Sequence, residues 1–557
     1  MHECVKILSR RVRRSHRLCS LAIAVFALPM IHGSAVVAQD PPSATYTGSM
    51  GSVTVGDEQW YRLAFRPDVP VGNWGFAFDV ELFINNQGDF SNRGWEFDNS
   101  TQTLDTVLRK LYYVRYGKPD DDTFLKIGAL DNVSLGYGLI MNNYRNTLEY
   151  PGVKKTGLQF HLRDLGSMNL GIEGVVNNFQ DFQEEGGLVG VRVSTKAAGK
   201  LEIGATYVVD LNQYSGLLDR DDDGYPDVVD AFPDNDNLAL DNDRDGVDDG
   251  VDVDDDNDGI FDIDADSGLP EATRDELTRV SENFDGFPVD DDVTRRDPFS
   301  NRQADGDRFA ILGLDAAYPI VDEELLSVKL YGQFAMLLDD DDELSPAQAA
   351  AQGVAAGNRK AEGIGVVLPG LALGMGPLDG QFEFRHFRDD FDSGYFDNLY
   401  ELDRARLDET TGQARSKDTG LARDESQSGV FGRVGTDLQN LFYASADYQY
   451  LTGGDDPKQQ VHASAQLSKR LLDMVPRLNQ ARAYYQKNNI GVGRNEDGTG
   501  DDGFFESTED TFYGYVIDME VSGGVSIQWD TRFLFARGAD GRLDRERITT
   551  IETVMSF

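Results

Sequence analysis

The sequence predicts an all-β chain, a transmembrane antiparallel β-barrel of about 18–20 strands with an acidic insert in one loop. Three observations predict it. Apolar residues recur with period two in runs of about ten residues, the length of a tilted membrane-crossing strand. Short and long connections alternate between those runs. One segment, 219–266, holds a disproportionate share of the acidic residues.

Each run shows the alternation plainly. Trp74, Phe76, Phe78, Val80, Leu82 and Ile84 interleave with Gly75, Ala77, Asp79, Glu81 and Phe83. Leu201, Ile203, Ala205, Tyr207 and Val209 interleave with Glu202, Gly204, Thr206, Val208 and Asp210. Val525, Ile527, Trp529, Phe533 and Phe535 interleave with Ser526, Gln528, Asp530, Arg532 and Leu534. The same period marks 328–338, 381–388, 442–450 and 511–521. A wall with lipid on one side and water on the other demands this pattern, and it keeps mean hydropathy low.

The connections carry a second signal. Short ones fall at 117–122, 163–168, 195–200, 319–324, 437–440 and 522–524. Long ones fall at 85–105, 129–155, 211–307, 339–359, 389–428 and 491–510. Outer-membrane barrels have short periplasmic turns and long external loops, whereas a soluble sandwich has no reason for this one-sidedness. The first strand is expected near Ser49, with a hairpin through Gly56-Asp57. At the other end Ile551, Thr553, Met555 and Phe557 share one parity. This resembles the C-terminal signature strand of outer-membrane barrels, which implies recognition of the Phe557 strand by barrel insertion machinery. With the loop pattern, it makes the chain similar to porin-type bacterial outer-membrane barrels.

Residues 1–38 read as a secretory signal peptide. Arg10, Arg11, Arg13, Arg14 and Arg17 precede a short apolar run, Leu18 to Met30, and Val36 and Ala38 supply small residues before cleavage. Both cysteines, Cys4 and Cys19, lie in this segment, so the remainder has no thiol or disulfide chemistry. Three of six histidines also lie there; His161, His386 and His462 remain, far apart. The segment carries six Lys/Arg against one Glu, so its removal takes the net charge from -45 to -50. Such a chain repels nucleic acid and attracts cations. No serine sits in the context of an activated nucleophile, even near His386, Asp389 and Asp390, and no enzyme activity is expected.

The chain therefore divides into a signal (1–38), a first part of the barrel (39–210), an acidic insert (211–300) and a second part of the barrel (301–557). Between 219 and 266 there are 21 Asp and two Arg. Their spacing is specific. Asp219, Asp221, Asp223, Gly224, Tyr225, Asp227 and Asp230 occupy positions 1, 3, 5, 6, 7, 9 and 12 of a loop. Asp241, Asp243, Asp245, Gly246, Val247, Asp249 and Asp252 repeat that register. Asp254, Asp256, Asp258, Gly259, Ile260 and Asp262 repeat it again, with Ala265 at position 12. Ca²⁺ wants six to eight oxygens; carboxylates at 1, 3 and 5, a turn-permitting Gly at 6 and a backbone carbonyl at 7 supply them. Ca²⁺ is the expected cofactor.

The loops resemble EF-hand loops locally, without flanking amphipathic helices. As a tandem they are similar to thrombospondin type 3 repeats, with Phe232 where those repeats have a cysteine. The resemblance implies a disulfide-free spacer organised by calcium. Without the ion, charge repulsion and a small core predict disorder. The alternative for the tract is a disordered acidic segment. Loop alternation places the insert outside the cell.

Strand parity assigns candidate lumen residues: Glu81, Arg115, Lys126, Lys329, Glu383, Arg385, Asp447, Asp530 and Arg532, with Asp79, Glu202, Gln333 and Gln449 beside them. Mixed charge suits a water-filled path for small hydrophilic solutes or ions. About 20 strands would enclose an aqueous bore. The bland alternative is a lumen plugged by loops that these residues merely solvate. The function expected is that of a porin; the rival is a barrel-anchored interaction protein whose stiffened insert meets an extracellular partner. Asp339 to Glu343 lacks the position-6 Gly and reads as a solvated charge run, and Gly136-Tyr137-Gly138 reads as a turn.

Overall fold

A computed structural model describes the chain from Thr45 to Ser556, apart from 56–57, most of 85–109, 264–268, 291–298, 301–306, 345–356, 408–413, 422–425, 492–502, 538–542 and scattered loop positions. The signal call on 1–38 and the call on Phe557 lie outside the described residues.

Twenty strands form the wall. They are β1 (Thr45–Val55), β2 (Glu58–Val71), β3 in two segments (Trp74–Phe78 and Val80–Ile84), β4 (Leu111–Tyr116), β5 (Thr123–Gly128), β6 (Gly157–Leu165) and β7 (Leu170–Val176). Next come β8 (Leu188–Lys196), β9 (Glu202–Asp210), β10 (Phe309–Glu323), β11 (Leu326–Asp339), β12 (Gly363–Met375) and β13 (Leu378–Asp389). The wall ends with β14 (Ser426–Leu438), β15 (Phe442–Thr452), β16 (Lys458–Leu467), β17 (Leu478–Lys487), β18 (Thr511–Ser522), β19 (Val525–Arg537) and β20 (Leu543–Ser556). Each pairs antiparallel with the next, and β20 pairs with β1 from Thr47↔Ser556 to Thr54↔Thr549, so the sheet closes on itself. Val55 pairs with Glu58, the register of the hairpin expected at 56–57, and β1 starts four residues before Ser49.

The connections segregate by end. At one end every link is short: 72–73, 117–122, 166–169, 197–201, 324–325, 376–377, 439–441, 468–477 and 523–524. The longest links, 85–110, 129–156, 211–308, 340–362, 390–425 and 488–510, all leave the other end.

Strand chemistry explains the wall. In β13, Phe382 and Phe384 are exposed, while Glu383 and Arg385, which alternate with them, are buried. In β15, Tyr448 and Tyr450 are exposed and Asp447 and Gln449 buried. Apolar side chains thus face outward and charged ones inward, inverting a soluble fold. Proline cannot donate to a ladder, and Pro319 and Pro369 fall where the register shifts, in β10 and β12. At the closing seam a Cβ on Gly51 would collide with the Ile551 backbone, so the last pairing needs glycine there.

Candidate functional site: a loop-crossed lumen and an acidic insert

The lumen is not left to water. The links 129–156 and 390–425 turn inward and pack on the inner wall. Leu130, Leu135, Leu139, Ile140, Met141 and Tyr144 from the first link share one buried cluster with Phe391, Tyr395, Phe396 and Tyr400 from the second. Val208, Ile311, Tyr331, Leu337 and Val367 supply the wall's part of it. The two links hydrogen bond: Gly394 N–H donates to Leu139 O (2.8 Å), and Asn142 N–H donates to Phe396 O (3.1 Å). Tyr137 stacks on Tyr331 with centroids 4.1 Å apart. Gly136 and Gly138 take positive φ (61° and 86°) to make the turn that presents Tyr137. Farther along, Leu148 and Leu399 pack with Phe512, and Tyr484 and Leu534 lie against them. The first link therefore reaches from β11 to β19.

Buried ion pairs hold the links in place. Arg404 is fully buried, 2.8 Å from Asp181 and 3.1 Å from Asp210, with Glu401 at 3.5 Å. Glu401 also takes Lys155 Nζ (2.7 Å) and the Tyr144 hydroxyl. Burial pushes the Glu401 carboxyl up, but Lys155 and Arg404 outweigh it and hold it down to about 2. Arg62 of β2 joins Asp79 and Glu81 of β3 to Glu552 of β20, and Tyr150 and Lys154 close over that cluster.

The acidic insert starts from this buried assembly. Gln213 donates to Asp307 (3.2 Å) and Asp418 (2.9 Å) and accepts from the Tyr395 hydroxyl (2.8 Å). Tyr214 and Phe299, one at each end of the insert, pack with Ala405 and Ala414. Ser300 Oγ donates to Gly224 O (3.1 Å), inside the first Asp loop.

The three Asp loops share one backbone geometry. Gly224 N–H donates to Asp219 (2.8 Å), Gly246 to Asp241 (2.8 Å) and Gly259 to Asp254 (3.0 Å), and all three glycines have φ near 90°. At position 9, Asp227, Asp249 and Asp262 each donate N–H to the carbonyl just before position 1: Leu218, Leu240 and Val253. Carboxylate oxygens of Asp219, Asp221 and Asp223 lie within 4.8 Å of one another, as do those of Asp241, Asp243 and Asp245. Buried Oδ2 atoms of Asp221, Asp230 and Asp243 have no hydrogen-bond donor. Burial, then neighbouring carboxylates, raise the Asp221 pKa, and burial with the charges of Asp223, Asp221 and Asp227 lifts Asp230 to about 7. A hard dication fits this donor set. Tyr225, Val247 and Ile260 stand at position 7, Asp230 and Asp252 at position 12. Asp256 and Asp258 lie outside the described residues.

No protein-family model and no curated protein matches the chain. Among solved structures, it is similar to Wzi of Escherichia coli, an outer membrane protein involved in group 1 capsule assembly described as a carbohydrate-binding β-barrel (11% identity, 92% of this chain and 84% of that one, TM-score 0.29). It is also similar to OccK5 (OpdH) of Pseudomonas aeruginosa (10%, 92% and 98%, TM-score 0.28). The FrpB iron transporter of Neisseria meningitidis is a third (8%, 92% and 81%, TM-score 0.36). The barrel rests on its own strand register, and nothing is carried over from these proteins.

The residues singled out by parity are spread around the wall rather than gathered in one place. Glu81 binds Arg62 (2.6 Å) and Lys154 (3.0 Å). Arg115 donates to Gly117 O (2.9 Å), Lys126 lies 3.8 Å from Asp131, and Lys329 sits 6.0 Å from the Tyr137 ring. Glu383 accepts the Tyr331 hydroxyl (2.6 Å) and pairs with Arg385 (2.6 Å), which also lies over Phe431. Asp447 holds His462 (2.7 Å), and Asp530 holds Arg532 (2.9 Å). Sequence reasoning missed Arg62, Arg404, Glu401 and Tyr331. Arg62 alternates with Tyr61 and Leu63, a usable signal; Arg404 and Glu401 sit in a link read as external. Asp339, read as part of a solvated run, is buried and accepts from Ala361 N–H (2.6 Å).

Proposed function

We propose that the chain is a bacterial outer-membrane barrel that passes small hydrophilic solutes or ions through a lumen narrowed by links 129–156 and 390–425. Its acidic insert binds Ca²⁺ on the extracellular side. The observation that carries this is the closed 20-strand wall with an apolar outer face and a charged inner face. Outer-membrane lipid covers the first, and water and solutes meet the second. A barrel of this size without inward links would be a wide aqueous pore. The inward links turn it into a narrow path that sorts by size and charge. The insert's Asp loops would hold the ion through Asp219, Asp221, Asp223, Asp241, Asp243 and Asp245, and calcium there would cancel repulsion and stiffen the segment. Insertion through the strand ending at Phe557 belongs to the same proposal.

The filled lumen also favours a second reading, in which the barrel is an anchor and the insert meets an extracellular partner. Single-channel recording of the refolded chain in a planar bilayer, with and without calcium, separates the two. Discrete steps of modest size are expected. An inserted but silent barrel would transfer the proposal to the anchor reading.

A further inference from the structure

We infer that the inner wall carries a binding site for small carboxylate- or phosphate-bearing solutes, built by Arg145 of link 129–156 with Arg482 of β17 and Arg532 of β19. The inference rests on the lumen reading above and deepens it by naming a solute class.

Packing sets the three residues on one patch. Leu148 belongs to the cluster against which Tyr484 of β17 and Leu534 of β19 pack, which places Arg145, three residues earlier, over the same part of the wall. Arg482 shares inward parity with Tyr484 and lies 5.7 Å from its ring centroid. Arg532 donates to Leu148 O and to Tyr150 O (2.8 Å) and pairs with Asp530, so its charge is already answered.

The other two guanidinium groups are not answered. Among the described residues neither Arg145 nor Arg482 forms an ion pair, and Arg145 Nε is buried with no acceptor. Asp131, the carboxylate that acts on Arg145, is shared with Lys126 at 3.8 Å. Burial, and then the charge of Arg482, lower the Arg145 pKa from its usual value. Counted locally, Arg145, Arg482, Arg532 and Lys126 stand against Asp131, Asp530 and, one register step away on β18, Asp518. That is a positive excess inside a chain of net charge -45.

Two like charges held together in a partly desolvated lumen are unfavourable unless something pairs with them. Arginine forks match the geometry of carboxylate and phosphate oxygens. A small anion is therefore the complement the patch lacks. A cation would be repelled there, whatever the acidic insert attracts outside.

The test uses the refolded full chain, native and Arg145→Gln/Arg482→Gln, in two readouts. In a planar bilayer under a KCl gradient, the native reversal potential should lie toward the chloride limit and the double variant should shift toward potassium. Separately, inorganic phosphate binding measured by equilibrium dialysis should weaken about tenfold or more in the variant. The variant loses no ion pair, only the Arg482 contact with the Tyr484 ring, so it should melt close to native. A conducting native barrel with no anion preference and no phosphate binding overturns the inference and leaves the channel reading standing. Phosphate binding in a silent barrel, lost in the variant, upholds the site and overturns the channel reading. Equal binding by both chains overturns the site.

Discussion

The Arg404 guanidinium, at the centre of an inward link, lies 3.1 Å from the carboxylate of Asp210, the last residue of β9 before the acidic insert. Both side chains are fully shielded from solvent. Arg404→Met would leave Asp210 and Asp181 buried without their counter-charge. Removing one partner of such a pair costs about 3–5 kcal/mol. Residues 390–425 of the refolded variant are expected to lose protection from trypsin at temperatures where the native chain keeps it. A variant as resistant as native would refute the claim that this pair locks the link.

Acid should open the same lock. Glu401 is held to about 2 in the folded chain, below its unfolded value of about 4.3. Its contribution is present in full above the unfolded value and is lost as pH falls through the folded one. Between about pH 4 and 2, protease access to 390–425 should rise, and Glu401→Gln should flatten that rise. Equal pH profiles for the two chains would rule Glu401 out as the group responsible.

Tyr331 of β11 joins wall to link through the Tyr137 stack, and its hydroxyl is held in place by Glu383 of the neighbouring wall. Truncating a buried aromatic costs about 3–5 kcal/mol. Tyr331→Ala should therefore free the Tyr137 turn, lower thermal stability and increase single-channel conductance. Reduced stability with unchanged conductance would show that this turn does not bound the path.

Calcium at millimolar concentration should protect 211–300 from proteolysis. Asp221→Asn and Asp243→Asn should each weaken binding, measured by isothermal titration, by about tenfold or more, because each removes a charged ligand. Gly246→Ala should act through the backbone instead, since its φ of 93° is one that residues with a side chain resist. A native chain indifferent to calcium would end the proposal for the insert.

Much of this wall was legible. Trp74 to Ile84 and Val525 to Phe535 alternate because lipid and lumen impose opposite demands on neighbouring residues. The strand total, the hairpin at 56–57 and the one-sided connections follow from that rule. In the insert the three glycines singled out by the Asp spacing take matching φ, though the sequence could not show that Ser300 ties the first loop to the insert's far end. The direction of the long links was hidden. Leu139-Ile140-Met141 and Tyr395-Phe396 are apolar segments in connections assigned to water, and that mismatch was the available clue. Pairings such as Arg404 with Asp210, nearly two hundred residues apart, leave no local trace at all.

The seam between β1 and β20 has a consequence for biogenesis. Thr47 must find Ser556, so the first and last strands of the wall meet across almost the whole chain. Contacts this distant form late, after the entropy of the intervening chain has been overcome. Until then both end strands present bare backbone donors and acceptors, a template for unwanted pairing. A product broken off before Leu543 keeps the β1–β2 pairing but leaves the other edge of β1 bare, and the wall of such a fragment cannot close.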